Sequence, residues 1–291
     1  MVGSLALLAE RVLFAPTFDP RAARGLGVVV TGASYGIGRE VALQYCAWGA
    51  RVVVVSRSAD KLAKVVSECL AAGGQSAGLV AADLSSQDEA VFARVIRESA
   101  AQLGGPLDTL VLNHIVTDGA FNPQGWLPLR DMKMVRAMFD TNTFSYFSLA
   151  HHALDLLTAS GGKIVVVSSG TGVSAIPKTV PYSATKHALH GFFQSLRLDL
   201  VMAKSPVTVT MCVLGSIATE SNERNLDPNV KVTKTAADVT ARAIAEGGEL
   251  RLRDVYVPMS LWASRVASVL LPSFMDRLIV AVFDGSLPIT L

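Results

Sequence analysis

The sequence predicts an α/β fold: a single doubly wound parallel sheet with helices on both faces and a hydrophobic C-terminal helical extension. Three observations predict it. Short, near-continuous apolar runs alternate with segments of helical length, as strands buried on both faces require. The first run enters a glycine-rich turn and leaves as a helix. Residues that carry chemistry then recur at the ends of the runs, where an open parallel sheet gathers its ligand.

The elements follow in order. Gly27-Val28-Val29-Val30 is a strand that leads into Thr31-Gly32-Ala33-Ser34-Tyr35-Gly36-Ile37-Gly38, and Arg39 to Tyr45 continue as a helix. Glycines let the backbone approach a pyrophosphate closely, while the helix start offers free N–H groups and the positive end of its dipole. The spacing is G-x-x-x-G-x-G rather than the commoner G-x-G-x-x-G. Val52 to Val55, Leu79 to Ala81, Leu110 to Leu112, Ile164 to Val167 and Val207 to Met211 are the further strands, each separated by a helical pattern. Neither internal repeats nor low-complexity segments interrupt this order.

Length and composition bound the reading. The 291 residues fit one doubly wound sheet with extensions, and a hydrophobic content of 51% is ample for a core on both its faces. A net charge of +2, without a basic block, gives a nucleic-acid backbone nothing to bind. Cys46, Cys69 and Cys212 lie far apart in apolar or helical stretches and read as buried free thiols.

The most informative residues are Tyr182 and Lys186, four apart in Pro181-Tyr182-Ser183-Ala184-Thr185-Lys186, with Ser169 closing the strand upstream. Four residues are about one helical turn, so phenol and ammonium share a face. A phenol titrates near 10, so a neighbouring cation is expected to draw it towards neutrality and make it an acid or base. Ser169 is then placed to hold a substrate oxygen. His187 and His190 lack a third ligand at a metal-binding spacing and read as ordinary helix residues, so no metal is expected. Ser56-Arg57 ends the second strand, where an acid would hold the ribose hydroxyls of NAD. Arg57 instead offers a guanidinium suited to a 2′-phosphate and Ser34 a hydroxyl, which favours NADP(H).

Together these residues resemble the pattern T-G-x-x-x-G-x-G … N … S … Y-x-x-x-K of the short-chain dehydrogenase/reductase family, matched by Gly32, Gly36, Gly38, Asn142, Ser169, Tyr182 and Lys186. Leu112-Asn113-His114-Ile115, Val165 to Ser169, and Met211 to Gly215 resemble its 11-beta-hydroxysteroid dehydrogenase branch; most members carry alanine-glycine where His114-Ile115 stand here. The resemblance covers residues 25–258 and implies a Rossmann-type NADP(H)-binding domain there, preceded by an apolar interfacial segment (1–24) and followed by hydrophobic helices (259–291). It implies that Asn142 joins Ser169, Tyr182 and Lys186 in a catalytic tetrad through a held water. Asp83 and Leu84 would flank the adenine, Asn113 and Ile115 the ribose region, and Ile217 and Thr219 the nicotinamide carboxamide, with Tyr182 and Lys186 also meeting the cofactor. Ser34, Tyr35 and Ile37 complete the phosphate turn; many NADP-using relatives carry a basic residue at the position of Tyr35.

The implied activity is reversible interconversion of a ketone and a secondary alcohol on a lipophilic substrate, with a steroid favoured. Phe121, Trp126, Leu127, Val173, Ile176, Pro177 and Val180 are candidates for an apolar pocket, and Ile176 stands where the steroid enzymes carry a tyrosine. A retinoid or general lipophilic carbonyl reductase is the alternative enzyme, and a catalytically silent NADP-binding scaffold the alternative of another class. Met1 to Phe14 is apolar but broken by Glu10 and Arg11, too short to span a bilayer and suited to lying on one. Leu261 to Phe283 is more hydrophobic than a solvated helix pair needs, which fits an interfacial patch or subunit contact. The relatives imply both: homodimers in peripheral contact with the endoplasmic reticulum membrane. A cytosolic location stays open, because no N-x-[ST] acceptor marks a luminal side.

Overall fold

The computed structural model describes residues 17–117, 121–122, 124–128, 130–224 and 233–286. The apolar opening, Met1 to Phe14, lies outside them.

Seven strands form one sheet: β1 (Gly27–Thr31), β2 (Arg51–Ser56), β3 (Ser76–Ala81), β4 (Thr109–Leu112), β5 (Lys163–Ser169), β6 (Thr208–Leu214) and β7 (Asp254–Val257). Their order is β3-β2-β1-β4-β5-β6-β7, every pairing parallel. The chain therefore builds outwards from β1 to β3, returns to β4 on the other side of β1, and builds outwards again. The reversal between β1 and β4 opens a crevice at the carboxyl ends of the strands.

The helices are α1 (Gly36–Ala47), α2 (Ala59–Ala71), α3 (Glu89–Leu103), α4 (Met132–Phe139), α5 (Ser145–Ser160), α6 (Val180–Met202), α7 (Glu220–Arg224), α8 (Ala237–Glu249), α9 (Ser260–Leu270) and α10 (Pro272–Phe283). They divide the core in two. Val29, Ile164 and Val166 face α3, α5 and α6, while Val28, Val30, Val165 and Val167 face α1, α2 and α8. Both faces are covered, so successive residues of one strand enter opposite cores, and the strands read as unbroken valine runs.

β7 was absent from the six strands read in the sequence. It is a four-residue edge strand with only Val257 buried, too short and too mixed to show a period. β6 starts one residue later than expected and runs on to Leu214, level with Ser169 on β5. Beyond the sheet, α9 buries no residue and α10 only Met275 and Val282. Met259, Val269, Leu270, Leu271, Phe274 and Val280 are exposed. Among the described residues no helix is long and apolar enough to cross a membrane.

Candidate active site

The turn after β1 is shaped by what its glycines leave out. Gly32 has φ +65°, and a Cβ there would lie 2.5 Å from the His114 Cα on the neighbouring strand end. A Cβ on Gly38 would fall 2.4 Å from both the Gly32 carbonyl oxygen and the Asn113 amide nitrogen. Only glycine lets the turn fold back against β4 and bring the first turn of α1 to the crevice. Asn113 fixes the arrangement: its amide nitrogen donates to the carbonyls of Thr31 (3.2 Å) and Gly32 (3.4 Å).

From this turn a cavity of about 1100 Å³ runs along the carboxyl edge of the sheet. Gly32, Ser34, Tyr35, Gly36, Ile37, Gly38, Arg57, Asp83, Leu84, Asn113, Ile115, Ile217 and Thr219 all line it, and so do Ser169, Tyr182 and Lys186. Residues spread over most of the chain are thus brought to one cavity. Asn142 is not on its wall. It sits fully buried in a π-helical turn (Asp140–Phe144) between α4 and α5. There its Oδ1 accepts from the Val116 amide (2.8 Å) and its Nδ2 donates to the Val116 carbonyl (3.0 Å). The side chain pins the loop after β4, whose Ile115, Val116 and Thr117 do line the cavity.

Lys186 is 2% exposed and donates to the Val167 carbonyl at 3.2 Å. Its Nζ lies 5.8 Å from the Tyr182 ring centre and 5.5 Å from that of Tyr146. No carboxylate pairs with it among the described residues, and burial brings its pKa down to about 7. Burial pushes the Tyr182 phenol up to about 12, with the Ser169 hydroxyl pulling the other way. The expected drop towards neutrality does not arise from the protein's own groups. Desolvation of the phenol outweighs the Ser169 hydroxyl.

Behind these residues lies a polar network that the sequence did not disclose. His114 is buried, its Nδ1 2.8 Å from Thr31 Oγ1 and its Nε2 2.7 Å from Ser145 Oγ. Burial first, and then Lys186, bring its pKa down to about 3, so the ring is neutral. The Tyr146 hydroxyl donates to the His114 carbonyl at 2.6 Å. His190 is likewise more than an ordinary helix residue: it is buried with Nε2 3.0 Å from Ser168 Oγ, tying α6 to the end of β5. The run Tyr182, Lys186, His190 at intervals of four was the available signal. His187, by contrast, is exposed. All three cysteines are buried and free.

The far end of the cavity is apolar. Phe121 and Ile176 line it as expected, whereas Trp126, Leu127, Val173, Pro177 and Val180 do not; Leu261 of α9 and Phe283 of α10 take part instead. Two hydroxyls on the cavity wall, Ser56 Oγ and Thr171 Oγ1, are buried without a hydrogen-bond partner, as are few polar groups in folded proteins. A glycine turn open to a helix start, unpartnered hydroxyls, and Arg57 at the end of β2 form a donor set suited to a phosphorylated dinucleotide.

Comparison with known proteins agrees. The sequence pattern of the family described as short chain dehydrogenase matches residues 27–229. The chain is 40% identical over 286 residues to the hydroxysteroid 11-beta-dehydrogenase 1-like protein of Gallus gallus, covering 98% of this chain and 96% of that one. A metagenomic short-chain oxidoreductase in complex with NADP aligns with a TM-score of 0.61 and 30% identity, covering 77% of this chain and 92% of its own. A short chain dehydrogenase from Burkholderia cenocepacia J2315, also in complex with NADP, aligns with a TM-score of 0.70 and 26% identity over 81% of this chain and 97% of its own.

Proposed function

This chain belongs to the short-chain dehydrogenase family, and on that premise we propose that it is an NADP(H)-dependent oxidoreductase interconverting a ketone and a secondary alcohol on a lipophilic substrate, with a steroid favoured. The observation that carries the reading is the meeting of Ser169, Tyr182 and Lys186 with the glycine turn in one cavity. The favoured substrate rests on the hydroxysteroid dehydrogenase-like relatives and on the apolar wall of Phe121, Ile176, Leu261 and Phe283. The choice of NADP(H) rests on Arg57 and on the NADP complexes of the structural neighbours.

The nicotinamide, when bound, would give or take the hydride. The chain's own groups do the rest. Tyr182 holds the proton that passes to or from the substrate oxygen, and a phenol raised by burial stays protonated for reduction. Ser169 holds that oxygen. Lys186, buried beside the phenol, would hold the nicotinamide ribose and, in its protonated form, favour the phenolate. Asn142 acts behind the wall by fixing Val116. Gly32 to Gly38 and Ser34 take the pyrophosphate, and Arg57 the 2′-phosphate.

The exposed apolar residues of α9 and α10 support a peripheral membrane contact, with the endoplasmic reticulum as the favoured location, and a homodimer. Cosedimentation of the full chain with phosphatidylcholine vesicles is the expected result; recovery wholly in the supernatant would count against the contact.

The decisive assay follows NADPH oxidation with an 11-keto steroid, retinal and a simple aromatic ketone, beside NADH and the Tyr182→Phe variant. Steroid-dependent turnover, faster with NADPH and lost in the variant, is expected. Turnover with the other carbonyls alone would reassign the substrate, and tight NADPH binding without turnover would make the chain a cofactor-binding scaffold.

A further inference from the structure

We propose that Lys61, on the first turn of α2, is a second cation for the cofactor's 2′-phosphate beside Arg57, held over the site by the ring of Tyr35. The proposal rests on the NADP(H) reading and names how this chain achieves it.

Four observations carry it. Arg57, Ser58 and Lys61 follow one another from the end of β2 into α2 and line the cavity with Ser34 and Tyr35. Lys61 Nζ lies 5.7 Å from the centre of the Tyr35 ring, close enough for the ring's negative face to hold an ammonium there. Tyr35 is nearly half exposed, so its ring is a wall of the site and no part of the core. Among the described residues, neither Arg57 nor Lys61 forms an ion pair. The nearby acid, Asp83, accepts from the Ser85 amide (3.0 Å) and hydroxyl (2.8 Å), and acts on Arg57 only through space.

The glycine turn carries no cation of its own from Gly32 to Gly38, and Lys61 brings one from α2 to the ring of Tyr35. Arg57 contributes a planar fork and Lys61 a mobile point charge, complementary ways of meeting a phosphate dianion. Ser58, whose side chain makes no capping bond to α2, adds a hydroxyl between them.

The test uses ligands without a nicotinamide, so that turnover plays no part. Binding of 2′,5′-ADP and of 5′-AMP to the full-length protein is measured by calorimetry for the natural chain, Lys61→Met, Lys61→Arg, Arg57→Met and Tyr35→Leu. The natural chain is expected to prefer 2′,5′-ADP. Lys61→Met should weaken 2′,5′-ADP by about tenfold, the worth of one charge-assisted contact, and leave 5′-AMP unchanged. Lys61→Arg should retain the preference, and Tyr35→Leu should lose part of it. If Arg57→Met loses the preference while Lys61→Met keeps it, Lys61 has no such role and the NADP(H) reading stands. Equal weakening of both ligands by Lys61→Met would also overturn the role. A natural chain that binds the two ligands equally would overturn the NADP(H) reading itself.

Discussion

Two buried lysines flank the same strand and live under opposite conditions. Lys163 opens β5 at the amino edge of the sheet, and its Nζ meets Glu249 Oε2 at 2.5 Å. The other oxygen of Glu249 accepts from the Tyr45 and Thr109 hydroxyls, each at 3.0 Å. Lys186 lies beside the far end of β5 with one carbonyl and two aromatic rings for company. A buried cation that is paired and hydrogen-bonded holds elements together, here β5, β4, α1 and α8. A buried cation left without a carboxylate is costly to stability, and the cost marks a site where the charge is wanted for something else. The amino edge is built for structure and the carboxyl edge for chemistry.

Exchanging the fates of the two lysines tests the contrast. Lys186→Met should lower kcat by about 10²- to 10⁴-fold, the range for losing a proton-transfer partner, while the protein stays folded by circular dichroism and melts no lower than before. Glu249→Gln should do the reverse. It leaves Lys163 buried without its counter-charge, at a cost of about 3–5 kcal/mol in urea unfolding, with kcat of the folded protein within about twofold. A double replacement, Lys163→Met with Glu249→Leu, should recover most of that loss. If Glu249→Gln instead lost activity without losing stability, the division between the two edges would fall.

The unpaired lysine also gives stability a pH signature. Its folded pKa of about 7 lies below the 10.5 of an ordinary lysine, so between those values the unfolded chain binds the extra proton. Stability therefore rises with pH from about 7. Tyr182 works the other way only above pH 10, where the unfolded phenol ionises and the folded one, near 12, does not. Between pH 7 and 9 the unfolding free energy of the natural chain, measured in urea at each pH, should gain on the order of 1–3 kcal/mol over that of Lys186→Met. Equal slopes in the two proteins would mean that Lys186 keeps its charge on folding.

Asn142→Ala probes the support behind the carboxyl edge. Both hydrogen bonds to Val116 vanish, leaving a half-buried amide and carbonyl unpaired, so stability should fall by about 1 kcal/mol. With the loop after β4 less fixed, kcat should fall about tenfold. Asn142→Asp keeps the acceptor for the Val116 amide and loses the donor to its carbonyl, and should be intermediate. A direct role in the proton path would show as a changed pH profile of kcat, whereas a positioning role leaves the profile's shape intact.

What could be read from the sequence follows the same physical line. The inner strands β1, β2, β4, β5 and β6 were legible because a sheet covered on both faces forces unbroken apolar runs; of the two edge strands, which are under no such demand, β3 was read only over its apolar end, Leu79 to Ala81, and β7 was missed. Gly32 and Gly38 were legible because backbone contact at 2.4–2.5 Å excludes every other residue. Ser169, Tyr182 and Lys186 were legible because their chemistry fixes both type and spacing. Lys61, His114 and the Ser168–His190 link were hidden because their partners lie on other elements, and nothing local in the chain announces a cation over a ring or a histidine between two hydroxyls.

The apolar end of the cavity was the least legible part, since a leucine facing a substrate and a leucine facing a core look alike in a sequence. Leu261 shows the difficulty. It is the second residue of α9, yet its methyl groups lie where a Cβ on Gly170 would be 3.1 Å away and one on Gly215 3.5 Å away, on the wall of the cavity that Ser169 also lines. Leu261→Ala should therefore lower KM for a bulky ketone and raise it for a small aromatic one, by about threefold each, as the removal of a few methylenes from a binding wall allows. NADPH affinity should stay where it was, because the glycine turn and Arg57 lie at the other end of the cavity. A matching change in NADPH affinity would mean that Leu261 supports the fold of the site and not the fit of its substrate.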